Sequence, residues 1–537
     1  MKKIVLSFLL IVSISFGAIS QTTQQFINNK IDAGIESKTV TVDNIKLFSQ
    51  NVLPDFYEKQ DYEPAWQNKQ KQKELVNILE SSYFDGLTPD DYHLERIKSL
   101  LDETKSGANA LQLANLDMLM TDALLLYASH LIQGKVDQSK IREGWNVPPN
   151  KLPADAALLL KNTINSPSIA TATDTLKPNN FMYDGLRNGL AVYRELASQG
   201  GWPKIATSKV LKPGMKDTSV LTIRKYLSIT GDLPNVIHSK NDTIYDTIVE
   251  QAVKQFQFRH NLNSDGVLGK GTLAVMNIPI EQRIDEIRVN MERARWVMHK
   301  LKDDFLVVNI AGYNIRRIRH DSTIFYSRVI VGKKYHESPI FIGKLRYIVL
   351  NPTWTLTYSI ATKETLPKLK KDPSYLLKHN MIIMDRSGKV LDPYSIDYSK
   401  LSRSNFPYTI RQNAGPNNSL GQVKFIFPNQ YSVYLHDTPA RSLFAQEKRA
   451  YSHGCIRLDD KWGLFSSLMQ DDPEWNMDRV NKVLESGKTT RVNLKNPIDI
   501  MLLYWTAGAD KQNRLYFNKD VYNRDAAVLK ALDKPLN

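Results

Sequence analysis

The sequence predicts a multidomain α+β chain, with helices in its first half and a mostly-β domain in its second. Its 537 residues correspond to three or four domains of about 150 residues each. Apolar residues recur at helical spacing up to about residue 205. From about residue 305, short β-branched and aromatic runs alternate with Gly, Asn and Asp, a pattern that is typical of strands.

The composition is that of soluble globular domains, with 42% hydrophobic and 24% charged residues. These fractions exclude wholesale disorder, a collagen-like fibre and a polytopic membrane protein. Lys and Arg number 71 against 56 Asp and Glu, which gives a net charge of +15. A basic chain suits a polyanionic partner, and charge alone leaves nucleic acid, an anionic membrane face and a carboxylate-rich wall polymer open.

Residues 1–20 are interpreted as a secretory signal peptide that is cleaved after Ser20. Lys2 and Lys3 precede an apolar run over 4–16, and small residues stand just before Gln21. The alternative is an uncleaved anchor helix, for which the apolar run is short. Export predicts a place in the periplasm or cell envelope and argues against nucleic acid as the target.

Residues 21–205 are predicted to form a helical scaffold that carries no chemistry. The predicted helices cover 71–83, a segment starting at Thr88-Pro89, 111–132 and 182–199. The stretch 166–178 is rich in Ser, Thr, Ala and Pro and is therefore predicted to be a loop.

Residues 206–280 are predicted to form a small unit of three helices around one core, followed by a linking helix over 281–300. The apolar spacing indicates helices over 220–227, 245–260 and 272–276, and Asp265-Gly266 forms a turn before the last one. The pattern alone leaves a binding role and a packing role equally open for this unit.

Residues 301–507 are predicted to form the β-domain, and 508–537 a C-terminal tail. The more polar stretch 354–420 interrupts the strand pattern, so it is predicted to be an insertion with a helix over 360–377. Strands return at 423–427 and 431–435, and the chain is predicted to be helical again from Asp459.

The chain has a single cysteine, Cys455. Exported proteins normally use cysteines in pairs, so a lone thiol is an inert buried group, an intermolecular link or a reactive group. His453 stands two residues before it, Arg457 two residues after it, and His436 ends a strand-like run upstream. The two histidines and the arginine near Cys455 favour a reactive thiol.

The residue types around Cys455 match nucleophilic catalysis at a carbonyl. A thiol attacks as thiolate, so nearby imidazoles and a cation are expected to lower its pKa, and a His base protonates the leaving amine. Gly454 lets the backbone approach a substrate closely. A zinc site of His436, His453 and Cys455 is disfavoured because His-x-Cys is an uncommon ligand spacing. No metal and no cofactor are expected.

The string Ser452-His453-Gly454-Cys455-Ile456-Arg457, with His436 upstream, resembles the signature of L,D-transpeptidases with a YkuD-type catalytic domain. The stretches 411–429 and 434–439 and the string Asn351-Pro352-x-Trp354 resemble the large YcbB-like branch of that family. Residues 211–278 are similar to peptidoglycan-binding type 1 domains, which favours the binding role for this unit.

The resemblance implies a cysteine acyltransferase of cell wall biogenesis. Cys455 would attack the carbonyl of the third residue of a donor tetrapeptide stem, with His436 as general acid and base, and terminal D-Ala would leave. The side-chain amine of a second stem would then take the acyl group, which gives a 3→3 cross-link. The partners implied are donor and acceptor peptidoglycan stems, carbapenems are the implied inhibitors, and the expected state is a monomer.

The resemblance also implies roles for the residues around this pair. A main-chain carbonyl after the upstream His usually completes the catalytic set; here that residue is Asp437, whose side chain is an alternative group to orient His436. The insertion over 354–420 would cap the donor stem. The residues expected to form the oxyanion and substrate-binding framework are Ser452, His453, Gly454, Arg457 and Tyr434.

The acceptor stays open at this point. Water would make the same acyl-enzyme an L,D-carboxypeptidase or endopeptidase, and a protein lysine would make it a wall-anchoring enzyme. A wall-binding scaffold with a silent site is the alternative that is not an enzyme, and the intact pair of Cys455 and His436 argues against it.

Overall fold

The computed structural model describes residues 22–105, 107–141, 144–207, 209–234 and 243–536. The predicted signal peptide, 1–20, lies outside the described residues. Among the described residues, none of the helices has the length and apolar character needed to span a bilayer.

The first part of the chain is helical, as predicted. Its helices are α1 (Thr23–Ser37), α2 (Leu53–Glu58), α3 (Lys69–Ser81), α4 (Leu94–Lys105), α5 (Ala110–Gln133), α6 (Ala156–Asn165), α7 (Ile169–Asp174) and α8 (Phe181–Ser198). Three short strands accompany them: β1 (Thr41–Val42), β2 (Ile45–Lys46) and β3 (Trp145–Asn146).

Helix α5 lies at the centre of this scaffold and confirms the helix predicted over 111–132. It begins with a capping box formed by Asn109 and Gln112 and ends at Gly134. One local prediction was wrong: the predicted loop over 166–178 contains α7, because the Ser168 hydroxyl caps its first turn. The helical start predicted at Thr88-Pro89 is confirmed, with Thr88 at the N-cap of a short 3₁₀ helix, Pro89–Tyr92.

The next part of the chain forms the predicted unit of three helices, α9 (Ser219–Ile229), α10 (Thr247–Arg259) and α11 (Lys270–Met276). The unit has its own hydrophobic core, which confirms the expectation of three helices around one core. It also contacts the end of the chain. The rings of His260 and Phe517 stack with centroids 5.4 Å apart, and Arg259 Nη1 donates to the carbonyl of Leu515.

The predicted linking helix, α12 (Ile280–Val297), is a core element of the molecule. Arg293 and Arg295 are almost completely buried. Arg295 pairs with Glu292 at 2.9 Å, and it donates hydrogen bonds to the scaffold at the Tyr183 hydroxyl and the Asp85 carbonyl. Buried charges persist when they are paired in this way. The helix therefore binds the scaffold to the β-domain.

The β-rich part contains fifteen strands among the described residues. They are β4 (Asp304–Asn309), β5 (Asn314–Arg319), β6 (Ser322–Gly332), β7 (Ile340–Leu350), β8 (Trp354–Thr355), β9 (Met381–Met384), β10 (Val390–Leu391), β11 (Thr409–Gln412), β12 (Val423–Ile426), β13 (Leu435–His436), β14 (Ala450–Ser452), β15 (Ile456–Leu458), β16 (Thr490–Leu503), β17 (Ala507–Ala509) and β18 (Leu515–Phe517). The helices among and after them are α13 (Tyr358–Ile360), α14 (Leu366–Leu369), α15 (Tyr375–Lys378), α16 (Lys461–Leu468), α17 (Met477–Glu485) and α18 (Asp525–Leu532).

The main sheet closes on itself. Its strand order is β12-β13-β15-β6-β5-β4-β16-β7-β3, and β12 also pairs with β7, so the sheet forms a barrel. Strand β14 pairs with β6, and the loop between β14 and β15 carries Cys455. The predicted nucleophile therefore lies in the short loop between the end of β14 and the start of β15.

The insertion forms a separate layer, which we call the cap, over residues 354–412. It has a four-stranded sheet in the order β10-β9-β11-β8 and its own hydrophobic core. The single helix predicted over 360–377 was wrong. A π-helical turn over Ala361–Thr365, Pro367 at the start of α14, and Pro373 before α15 divide this segment into short pieces.

The predicted C-terminal tail, 508–537, is folded over its described residues, so that prediction was wrong. Strands β17 and β18 pair with each other, and α18 follows them. Tyr522 and Leu532 are buried. The chain before this segment also differs from the prediction, because residues 490–503 form β16, a barrel strand between β4 and β7.

Candidate active site

Strand register brings the predicted site residues to one face of the barrel. Lys424 of β12 lies opposite His436 of β13, and His436 lies opposite Arg457 of β15. Two residues before the pair His436 and Arg457, the same parallel register brings Tyr434 opposite Cys455. Side chains two residues apart on a strand share a face, so all five side chains point the same way.

The Cys455 thiol is half-buried and lies 3.8 Å from the Ser432 carbonyl. Burial raises the pKa of Cys455 above its ordinary value, while the hydroxyl of Tyr434 and the charge of Arg457 act in the opposite direction. The expectation of a lowered thiol pKa was therefore wrong. The raised pKa favours the protonated thiol at neutral pH.

The His436 imidazole is buried on this face. Its Nδ1 lies 2.5 Å from the Asp437 carbonyl oxygen, so Nδ1 carries the proton and Nε2 holds the free lone pair. Burial first, and the charge of Arg457 second, lower the pKa of His436 to about 4. The ring is neutral at pH 7. It packs edge-on against Tyr434, with centroids 5.7 Å apart.

The side chain of Asp437 does not orient His436. Its Oδ2 accepts hydrogen bonds from Lys461 Nζ at 2.6 Å and from the Gln422 amide at 3.0 Å, so the carboxylate is held away from the imidazole. A buried carboxylate needs such partners. The group that contacts His436 Nδ1 is the main-chain carbonyl of the same residue, and the side-chain contact offered as the alternative is contradicted.

The loop before Cys455 is closed by Ser452. Its hydroxyl accepts a hydrogen bond from the Gly454 amide at 3.1 Å and donates one to the Cys455 carbonyl at 2.5 Å. Gly454 has φ of +114°, a conformation that side chains rarely adopt. The local sequence thus fixes a tight turn that presents the thiol at the start of β15.

His453 belongs to the contact between this loop and the cap. Its Nε2 lies 2.6 Å from Oε1 of Glu364, and its ring centroid is 5.2 Å from that of His336. No hydrogen bond joins His453 or His436 to Cys455 in the part of the chain that the structure describes. Among the described residues, no hydrogen bond from His453 to the Cys455 sulfur supports the expected stabilisation of the thiolate.

Two cations share the face of the thiol. Arg457 and Lys424 are half-buried, and burial lowers the pKa of both. Within the described residues neither has an ion-pair partner; Lys424 Nζ lies 5.7 Å from the centroid of the Tyr434 ring. Cations without an acidic partner can take a carboxylate from a ligand.

Sequence reasoning missed Lys424, Glu364 and Ser338 as members of this site. Lys424 lies on β12 opposite His436, a pairing that requires the strand register. Glu364 and Ser338 come from segments that are distant in sequence, at 2.6 Å from His453 and 2.7 Å from the Gly454 carbonyl. The sequence could have indicated only Lys424, because it lies on a predicted strand near the motif. It offered no signal for Glu364 or Ser338.

Comparison with known families assigns the three parts of the chain. Residues 303–493 match the model described as "L,D-transpeptidase catalytic domain", 216–276 match "Putative peptidoglycan binding domain" and 51–190 match "Scaffold domain". Residues 303–493 are thus similar to the YkuD-type L,D-transpeptidase catalytic domain. Tyr434, His436, Cys455 and Arg457 all lie within the matched catalytic region. The recognition from the sequence motif is confirmed.

A curated relative has the same family name. The "Putative L,D-transpeptidase" of Haemophilus influenzae is 37% identical over 223 residues, which is 42% of this chain and 45% of the relative. The match thus spans less than half the length of that relative. Among solved structures, "L,D-transpeptidase from Mycobacterium smegmatis" is 13% identical with a TM-score of 0.17, covering 37% of this chain and 58% of that one. An L,D-transpeptidase from Stackebrandtia nassauensis is 13% identical with a TM-score of 0.21, covering 55% and 96%.

Proposed function

We propose that the chain is an L,D-transpeptidase that forms 3→3 peptidoglycan cross-links through a thioester on Cys455. The observation that carries this proposal is the shared face of a lone thiol and a neutral imidazole. His436 keeps Nε2 free because the Asp437 carbonyl holds Nδ1, and Cys455 directly precedes the adjacent strand, β15.

In the proposed acylation, His436 Nε2 takes the proton of the Cys455 thiol as sulfur attacks the third-residue carbonyl of a donor stem. The S–C bond forms and the carbonyl oxygen becomes an oxyanion. The C–N bond to terminal D-Ala then breaks, and His436 returns its proton to the departing amine. A base with a pKa of about 4 is in its proton-accepting form throughout the neutral range.

The proposed role of Arg457 and Lys424 is to bind a carboxylate of the donor stem. Both cations lie on the face of the thiol and have no acidic partner among the described residues. The stem ends in a carboxylate next to the bond that breaks. Charge-assisted hydrogen bonds to that carboxylate would hold the scissile amide over the thiol.

In the proposed second half-reaction, the side-chain amine of an acceptor stem attacks the thioester and releases the thiol. The cap contacts the loop that carries Cys455 through Glu364, and its proposed role is to restrict the access of water to the thioester. Water or a protein lysine as acceptor, and a wall-binding scaffold without turnover, remain the competing proposals.

The accessory parts support a place at the cell wall. Residues 216–276 match a peptidoglycan-binding model, and the chain carries a net charge of +15 that suits a carboxylate-rich polymer. We propose that the protein is exported to the periplasm and acts on wall stems as a monomer.

The deciding experiment incubates the purified protein with defined tetrapeptide muropeptides and follows the products by mass spectrometry. Transpeptidation gives cross-linked dimers and free alanine, whereas water as acceptor gives tripeptide monomers and free alanine. Cys455→Ala should give neither product. Ser466→Ala, an exposed serine on α16, is the control and should behave as wild type. A normal rate of dimer formation in Cys455→Ala would refute the proposal.

A further inference from the structure

The hydroxyl of Ser338 joins two loops of the barrel. Ser338 lies between β6 and β7 and is completely buried. Its Oγ donates to the Gly454 carbonyl at 2.7 Å and accepts from the Gly332 amide at 3.0 Å. The residue before the nucleophile is therefore tied to a segment more than a hundred positions earlier in the chain.

Tyr522 holds the other side of this junction. Its hydroxyl donates to the Gly332 carbonyl at 2.6 Å and accepts from the Ser338 amide at 3.2 Å. The ring is buried and stacks on Tyr504, with centroids 5.6 Å apart. Tyr522 lies outside the matched catalytic region, in the segment that follows β18.

Arg524 adds an ion pair to the same junction. Its Nη2 lies 2.6 Å from Oε2 of Glu337, the residue before Ser338. Its guanidinium carbon lies 5.1 Å from the centroid of the Tyr522 ring. Two residues of the C-terminal segment thus hold the loop between β6 and β7, and Ser338 of that loop contacts the catalytic loop.

The direction of one peptide group follows from these contacts. The Gly454 carbonyl and the Cys455 N–H belong to the same planar trans peptide, so they point in opposite directions. The Ser338 hydroxyl donates to the Gly454 carbonyl, so the Cys455 N–H points away from Ser338. The Gly454 N–H is already bound by Ser452. Within the described residues, the Cys455 N–H has no hydrogen-bond acceptor.

We propose that Ser338 and Tyr522 are positioning residues that aim the Cys455 N–H at the developing oxyanion. This inference rests on the acyl chemistry of the proposed function. A donor fixed before the reaction stabilises the tetrahedral state without reorganisation. When either hydroxyl is removed, the Gly454–Cys455 peptide can rotate, and the donor loses its direction while the thiol stays in place.

The test compares two reactions of the same thiol in Ser338→Ala and Tyr522→Phe. With imipenem, sulfur attacks the β-lactam carbonyl, the S–C bond forms, the C–N bond opens and the ring nitrogen takes a proton, so an oxyanion must develop. With iodoacetamide, sulfur displaces iodide and no oxyanion forms. The acylation rate should fall by about 10²-fold in each variant, as for a small misplacement of a catalytic group, and the alkylation rate should match wild type.

Tyr516→Phe is the matched control, since it removes a tyrosine hydroxyl from the same C-terminal segment at a contact with Met182. It should keep both rates. Wild-type acylation in both Ser338→Ala and Tyr522→Phe would overturn the inference, and so would an equal fall of acylation and alkylation, which marks a collapsed loop. A wild-type protein that is alkylated but not acylated would instead remove the proposed function, and this inference with it.

Discussion

Oε1 of Glu364 lies 2.6 Å from Nε2 of His453, and this pair joins the cap to the loop that carries the nucleophile. Both side chains are partly exposed, at 46% and 33%. Exposed pairs of this kind contribute about 0–1 kcal/mol. The contact is therefore a weak link between the cap and this loop.

Removing the acidic partner should make the thiol easier to reach. In Glu364→Gln the cap loses its charged contact with His453, and alkylation of Cys455 by iodoacetamide should be faster by up to about fivefold, the equivalent of about 1 kcal/mol. Glu447→Gln, at an exposed glutamate of the same domain, is the control. Equal alkylation rates in all three proteins would show that the pair does not hold the cap.

A carbapenem should acylate Cys455. The chain has no other cysteine, so intact-mass spectrometry after incubation with imipenem should show one adduct in wild type and none in Cys455→Ala. An adduct that persists in the variant would place the reactive group elsewhere.

His436 should matter more for turnover than His453. His436→Ala removes the buried base, and cross-linking should fall by about 10²–10⁴-fold, the usual contribution of a general acid–base group. His453→Ala should have a smaller effect, because His453 contacts Glu364 in the cap. Rates are compared on the same muropeptides. A near-normal rate in His436→Ala with a lost pH dependence in His453→Ala would reverse the two assignments.

The pH dependence of alkylation reports on the thiol. Burial favours the neutral form and raises the pKa of Cys455, so the rate should rise with pH and reach its midpoint above the ordinary thiol value. The charge of Arg457 acts against burial. Arg457→Met should therefore move the midpoint to still higher pH, whereas Arg514→Met, at an exposed pair with Asp510, should leave it in place. A midpoint that falls in Arg457→Met would contradict this electrostatic account.

Deleting residues 213–277 should weaken binding to peptidoglycan sacculi and spare turnover of a soluble stem. The proposed catalytic side chains all lie outside this unit. The deletion also uncovers Phe517, which stacks on His260, so the melting temperature should fall. Co-sedimentation with sacculi measures binding. Unchanged co-sedimentation would assign the unit a packing role.

The sequence predicted the parts of the site that are local in the chain. The string from Ser452 to Arg457 and the upstream His436 indicated the nucleophile and the base, and helical periodicity indicated α5 and the three-helix unit. The predictions that were wrong concern contacts between residues far apart in the sequence. The C-terminal segment looks like a tail because its strands are short, and its burial depends on partners such as Gly332, which Tyr522 contacts.

The predicted electrostatics of the site was wrong for the same reason. Two imidazoles and an arginine near a cysteine predict a lowered thiol pKa, yet burial outweighs them, and burial is a property of the assembled barrel. The turn of Asp437 toward Lys461 is likewise set by tertiary packing. The domain boundaries and the catalytic roles of individual residues stay predictions.

The support that Tyr522 gives to the catalytic loop has a consequence for the order of folding events. Strand β3, from the scaffold, pairs with β7, and β16 completes the barrel beside β4. Such long-range pairings form late, because the chain between them must first be closed into loops. Tyr522 follows all of these strands in the sequence. On the proposed role of Tyr522, the direction of the Cys455 N–H thus depends on a residue that follows every barrel strand in the chain, and a fragment ending before Tyr522 would carry the thiol without that support.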